Sequence, residues 1–127
     1  MPRILIIDDD AGVRGVLKAM LERAGYDVSA AESGTEGLEL AHSRRPDLVL
    51  LDIEMPGMNG FDVCSLMKTD TALSSVPVII MTGRPLAGVP AQVQAVGAVD
   101  LLTKPFERGS LLAKIGQQLS NQRVMPR

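Results

Sequence analysis

The sequence predicts an α/β fold, a doubly wound parallel sheet of five strands and five helices, and three observations carry the prediction. Short runs of consecutive aliphatic residues, such as Ile4 to Ile7 and Leu48 to Leu51, alternate along the chain with stretches of helical periodicity. The runs are apolar at every position instead of every second one, which is the pattern of strands covered on both faces. Four of them end abruptly in a residue that carries chemistry: Asp8-Asp9 after the first, Asp52 after the third, Thr82 after the fourth and Lys104 after the fifth.

The elements follow in order. After the first strand, Val13, Val16, Leu17, Met20, Leu21 and Ala24 recur at the spacing of one helical face, with Asp10 as N-cap and Gly25 as the C′ stop. Asp27 to Ala31 reads as a strand. Ser33 then caps a second helix that turns Leu38 and Ala41 inward and ends before Pro46. The third strand runs up to Asp52, and Met55-Pro56-Gly57-Met58-Asn59-Gly60 is turn chemistry throughout. A third helix buries Val63, Cys64 and Met67; Val76 to Met81 is the fourth strand, with Pro77 tolerable only at its start. From Gly83 to Pro90 the prolines and glycines interrupt what would be the fourth helix, so a regular helix begins near Val89, with Pro90 at N1, lasts about two turns and reaches Val96. Gly83 to Pro90 is therefore expected to be the most mobile internal segment. Val99 to Thr103 is the fifth strand, and the last helix buries Leu111, Leu112, Ile115 and Leu119.

Composition narrows the function classes. The chain of 127 residues fits one domain, residues 1–127, with no room for a second output domain. Thirteen basic against fifteen acidic residues, with no basic block or aromatic-studded stripe, argue against a direct nucleic-acid surface. The single cysteine, Cys64, sits in an apolar helical pattern and reads as a small buried hydrophobe, consistent with a reducing cytoplasm. No stretch approaches the ~20 apolar residues of a membrane span, and no signal peptide ends in three aspartates. His42 lies on the polar part of the second helix without metal-ligand spacing, and reads as a surface residue.

In a parallel α/β sheet the ligand crevice lies outside the carboxyl ends of the strands. The strand-end groups therefore meet at one edge, where three carboxylates, a hydroxyl and an ammonium make a place for a divalent metal and a phosphoryl group. The acids repel one another unless a cation joins them, and a carboxylate is a competent nucleophile for phosphoryl transfer.

Asp8-Asp9, the loop Asp52-Ile53-Glu54-Met55-Pro56-Gly57-Met58-Asn59-Gly60, Thr82-Gly83 and Lys104-Pro105-Phe106, in that order and each after a strand, closely resemble the receiver domain of two-component response regulators, from about Arg3 to about Leu119. The resemblance implies a flavodoxin-like sheet of order 2-1-3-4-5, and it implies that Asp52 accepts a phosphoryl group from a phosphohistidine on a sensor histidine kinase or histidine phosphotransfer protein. It further implies Mg²⁺ held directly by Asp9, Asp52 and the backbone carbonyl of Glu54, with Asp8 acting largely through water. Lys104 would supply its ammonium and Thr82 its hydroxyl to phosphoryl oxygens, Gly83 would leave room and offer an N–H, and Lys104-Pro105 would be cis. The recipient of the signal would be a downstream protein or a fused output domain.

The chain departs from the family in one place. Three residues before the lysine the family usually carries Tyr or Phe, and here stands Leu101, which has neither ring nor hydroxyl. Helix 4, strand 5 and helix 5 form the family's usual output face. Asp100 and Lys114 occupy positions where subfamilies that dimerise through this face carry an acid and an arginine, so a homodimer there is an assembly the resemblance allows. A competing enzyme class, the haloacid-dehalogenase-like phosphatases, would use Asp8 as nucleophile in Asp8-Asp9-Asp10. It wants Thr or Val where Gly12 stands, and its late acidic motif is missing. A pseudo-receiver scaffold is disfavoured because every active-site position is kept. A nucleotide-binding module lacks a glycine-rich fingerprint.

Overall fold

The runs Ile4 to Ile7, Leu48 to Leu51 and Val78 to Met81 are buried at every position, as strands of a sheet covered on both sides can be with their backbone groups paired, while the strands Asp27–Ala31 and Asp100–Thr103 are only partly buried. In the computed structural model, which describes residues 1–83, 89–105 and 107–123, the elements are β1 (Arg3–Ile7), α1 (Ala11–Arg23), β2 (Asp27–Ala31), α2 (Gly34–Arg44), β3 (Leu48–Asp52), α3 (Gly60–Thr69), β4 (Val78–Thr82), α4 (Val89–Ala95), β5 (Asp100–Thr103) and α5 (Arg108–Arg123). All strand pairs are parallel, in the order β2-β1-β3-β4-β5. That is the expected doubly wound, flavodoxin-like topology, with β3 at its centre.

Alternate residues of each strand feed two cores. Ile4, Ile6, Leu48, Leu50, Ile79 and Leu102 pack under α1 and α5 with Leu17, Leu21, Leu111, Ile115 and Leu119. Leu5, Ile7, Val49, Leu51 and Ile80 pack under α2, α3 and α4 with Ala41, Val63, Cys64, Met67 and Val93. Burying one leucine-sized side chain contributes about 1.5–3 kcal/mol, so the twelve largest fully buried side chains, most of them on the strands, hold the sheet that carries the site.

Several boundaries differ from the sequence expectation. β4 begins at Val78, not Val76, because Pro77 has no N–H for the ladder and Val76 turns back to donate to the Leu73 carbonyl at 3.0 Å. β5 begins at Asp100, leaving Val99 exposed. The face foreseen for α1 is narrower: Leu17 and Leu21 are buried and Val13 and Met20 half-buried, but Val16 is 60% exposed and Ala24 is exposed. Val16 and Met20 instead line an open apolar groove with Val13, Leu17 and Pro105. On α2 the buried positions are Gly34, which faces Val63 and Met58, Gly37, which faces Ile7 of β1, and Ala41, while Leu38 is half-buried.

The caps behave as their residue types dictate. Asp10 accepts from the N–H groups of Gly12 at 2.8 Å and Val13 at 3.2 Å, and Gly25, at φ 96°, follows the C-cap of α1. Asn59 and Asp62 form a reciprocal capping box at the start of α3. The regular part of α4 starts at Val89 and is seven residues long; Pro90 falls in its first turn, where a missing N–H leaves no bond unmade. The mobility expected for Gly83 to Pro90 concerns residues 84–88, which lie outside the described residues.

Candidate functional site

The parallel register aligns the strand ends, so residues far apart in sequence arrive together. Ile7 sits beside Leu51, Asp52 beside Met81, and Thr82 beside Thr103. The residue after each of β1 and β5, and the last residue of β3 and β4, therefore project at the same edge. Asp8, Asp9 and Asp52 each offer an oxygen within 4.8 Å of the other two. They border, with Asp10, Glu54, Gly83 and Lys104, a cavity of about 250 Å³.

The charges within it are unevenly shared. Asp8 is fully buried: one carboxylate oxygen accepts from the Asp10 N–H at 2.9 Å, the other from the Lys104 ammonium at 2.7 Å. Asp52 is 4% exposed and also pairs with the Lys104 ammonium, at 3.2 Å. Asp9 is exposed at the mouth, and so is Glu54, whose position in the lining puts the β3–α3 loop against the cavity. The Arg14 guanidinium donates to the Asp8 carbonyl at 2.7 Å, tying the first turn of α1 to the strand end.

Burial, then the Asp8 charge, push the Asp52 carboxyl up to about 6, with Lys104 pulling the other way and Asp9 adding to the rise. Burial pulls the Lys104 ammonium down, but the hydrogen bond it donates to Asp8 and the charges of Asp52 and Asp8 outweigh it, so the net shift is upward and the lysine stays charged. A site whose anions are this crowded is short of positive charge. Three carboxylate donors, a loop beside them and room for waters suit a hard divalent ion of the Mg²⁺ type, which is bound through one or two carboxylates and keeps part of its hydration.

Thr82, buried at the end of β4, accepts the Lys104 backbone N–H with its carbonyl at 2.6 Å, so the hydroxyl and the ammonium belong to one backbone unit. Gly83 borders the cavity, and a Cβ there would meet open space. The Lys104-Pro105 bond is cis, as expected; Phe106 lies outside the described residues. All seven residues singled out from the sequence thus stand at one sheet edge. Asp10 at the rim and Arg14 behind Asp8 were not assigned to the site from the sequence, because their contributions are a backbone N–H and a contact to a backbone carbonyl, which leave no sequence signal.

This edge matches a known family. The model of the response regulator receiver domain matches residues 4–116. The chain belongs to that family. It is 42% identical to the protein PilH of Pseudomonas aeruginosa over 120 residues, covering 94% of this chain and 99% of that one. It is 41% identical to the DNA-binding dual master transcriptional regulator RpaA of Synechocystis over 117 residues, covering 91% of this chain and 48% of the relative. The receiver therefore spans about half the length of RpaA and nearly all of PilH. Among solved structures, a CheY-like receiver domain protein from Methanospirillum hungatei superposes with a TM-score of 0.91 at 30% identity, covering 97% of each chain. The chemotaxis protein CheY4 of Vibrio cholerae superposes at 0.88 with 30% identity, covering 92% of this chain and 98% of that one. The receiver is thus a signalling module of the two-component type. Among its described residues no helix is long and apolar enough to cross a membrane.

Proposed function

We propose that this receiver is the phosphoacceptor of a two-component phosphorelay, and that Asp52 takes the phosphoryl group from a phosphohistidine. The observation that carries the reading is the setting of Asp52: a buried carboxylate at the end of the central strand, between two further acids and 3.2 Å from an ammonium.

The chemistry follows from that setting. An Asp52 oxygen attacks phosphorus, the P–N bond to the donor imidazole breaks, and an acyl phosphate remains on Asp52. Near neutral pH a carboxyl held at about 6 is mostly ionised and so competent to attack. Asp9, Asp52 and the Glu54 carbonyl, with Asp8 largely through water, would hold Mg²⁺, which when bound would supply positive charge where an anionic donor meets an anionic nucleophile. Lys104 exchanges its contact with Asp52 for one with a phosphoryl oxygen, while Asp8 keeps the ammonium oriented. The Thr82 hydroxyl and the Gly83 N–H meet other phosphoryl oxygens, and the open space at Gly83 admits the group.

The partners in this reading are a sensor histidine kinase or histidine phosphotransfer protein as donor, and a downstream protein or a fused output domain as recipient, in the cytoplasm. RpaA is a DNA-binding regulator of which the receiver covers about half; any DNA contact would belong to a fused domain, since the 127 residues are read as one receiver unit. A homodimer through α4, β5 and α5 would have to displace a pair already made within the chain, because the Lys114 ammonium donates to both Asp100 oxygens at 3.0 Å.

The test is phosphorylation by acetyl phosphate or a phosphorylated kinase, with the modified residue mapped by mass spectrometry. Wild type should carry one acid-labile phosphate, on Asp52, only when Mg²⁺ is present; Asp52→Asn should carry none. Undiminished labelling of that variant would overturn the reading, and label on Asp8 would turn it toward the phosphatase class.

A further inference from the structure

Gly57, in the loop between β3 and α3, and Gly60, the first residue of α3, are there for opposite reasons. Gly57 has φ 77°, in the left-handed region that favours glycine, and a Cβ on it would meet nothing within 4 Å. Gly60 has no such dihedral, but it has no space. A Cβ on it would overlap the Asp52 carbonyl oxygen and stand 2.9 Å from both the Asp52 carbonyl carbon and the Ile53 Cα. Every obstacle is backbone of the phosphoacceptor or of the residue after it, and backbone in a central strand cannot step aside as a flexible side chain can.

The start of α3 cannot easily step aside either. The Gly60 N–H donates to the Ile53 carbonyl at 3.0 Å, closing the loop that contains Glu54. Asn59 accepts from the Asp62 N–H at 3.0 Å, and Asp62 accepts from the Asn59 N–H at 3.3 Å. One turn on, Val63 is buried against the sheet. Any atom added at Gly60 is therefore felt at the end of β3.

We propose that Gly60 is a positioning residue for the phosphorylation chemistry: by lacking a Cβ it lets α3 abut β3, and that contact fixes the Asp52 backbone and the loop carrying the Glu54 carbonyl. The inference rests on Asp52 being the phosphoacceptor. Its consequence is kinetic. A misplacement of about 1 Å at a reacting group can slow a reaction ~100-fold, and removing the overlap at Gly60 demands a shift of several tenths of an ångström.

The experiment compares wild type, Gly60→Ala, Asn59→Ala and Leu21→Ala. Leu21 is buried in the opposite layer near the far end of α1, so its truncation destabilises the fold without touching the loop. Each protein is checked for cooperative unfolding, and the initial rate of Asp52 labelling by acetyl phosphate at saturating Mg²⁺ is measured per folded molecule. Gly60→Ala should label at least about tenfold slower at saturating donor, with half-saturation little changed, whereas Leu21→Ala should label at the wild-type rate even if less stable. Equal rates for Gly60→Ala and wild type, or equal slowing of Gly60→Ala and Leu21→Ala, overturn the inference. Should Gly60→Ala fail to fold, Asn59→Ala decides, since it loosens the first turn of α3 without adding an atom: labelling about threefold slower or more supports the role, and the wild-type rate overturns it. No labelling of wild type would overturn the phosphoacceptor reading and this inference with it; normal labelling of wild type and Gly60→Ala alike would overturn the inference alone.

Discussion

The Lys104 ammonium lies 2.7 Å from Asp8 and 3.2 Å from Asp52, so its nearer partner is the fully buried Asp8. Asp8 has its other oxygen on the Asp10 N–H. Both of its oxygens are thus engaged, while Asp9 is exposed at the cavity mouth. This division of labour predicts the order of metal affinities. Removing a direct ligand weakens Mg²⁺ more than removing one that acts through water, so titration of Asp9→Ala should show the larger loss, by about tenfold against a few-fold for Asp8→Ala. The reverse order would mean that the two acids exchange roles.

Asp52 predicts a pH dependence of stability. Its carboxyl is raised from 3.8 to about 6 in the folded chain, first by burial and then by Asp8. The sign follows from proton binding: below the unfolded value both states hold the proton and nothing is lost. As pH rises from 3.8 toward 6 the unfolded chain releases its proton first, so folding weakens, and above 6 the full penalty stands. Two units correspond to on the order of 2–3 kcal/mol. Asp52→Asn should therefore raise the denaturant midpoint near neutral pH, with a gain that shrinks toward about pH 4. Mg²⁺ should stabilise wild type more than the variant. A gain independent of pH would place its origin outside the ionisation of Asp52.

The legibility of this chain differs between its two levels. The inner strands could be read because burial on both faces forces uninterrupted aliphatic runs, and the site could be read because four of the five strands end in or lead into Asp8, Asp52, Thr82 or Lys104, polar or charged residues with no ordinary place in a core. Close approach could not be read. Gly37 and Gly60 look like ordinary helix-start residues, yet each touches a strand directly. Val16 satisfies the helical period of α1 but is exposed, because periodicity records which face a residue occupies and not how far the neighbouring layer extends. The pairing of Lys104 with Asp8 ahead of Asp52 is likewise a matter of a few tenths of an ångström.

Gly37 gives a packing prediction. A Cβ there would overlap the Ile7 Cδ1 and stand 2.8 Å from the Ile7 Cγ1, in the core under α2. Gly37→Ala should cost about 1–3 kcal/mol as overpacking, whereas Ile7→Val alone should cost about 0.5–1.5 kcal/mol for the lost methylene. Because the valine removes the worst of the close atoms, leaving Cγ1 at 2.8 Å, the double variant should lose less stability than the two single losses together. Additive losses in chemical denaturation would show that the strain is relieved elsewhere.

Under the proposed function, Leu101 bears on how phosphorylation would be read out. It lies on β5 opposite Ile80, half-buried against the core beneath α4, three residues before Lys104. Thr82 ends the neighbouring strand β4, one residue before Gly83 of the cavity lining, and its backbone carbonyl holds the Lys104 N–H. An aromatic ring at Leu101 would have large contacts to gain or lose as the Thr82 loop moved; a leucine has fewer. A modification shifts an equilibrium only by its differential interaction with the two states, so the larger share should come from the Thr82 hydroxyl. The measurement is affinity for a downstream partner with and without beryllofluoride as the phosphoryl mimic. Thr82→Ala should remove most of the mimic-dependent change, while Leu101→Ala should alter partner affinity by only about threefold or less and preserve the change. If Leu101→Ala abolishes the response as completely as Thr82→Ala, the leucine is itself the moving part, and a side chain without a ring suffices to report phosphorylation.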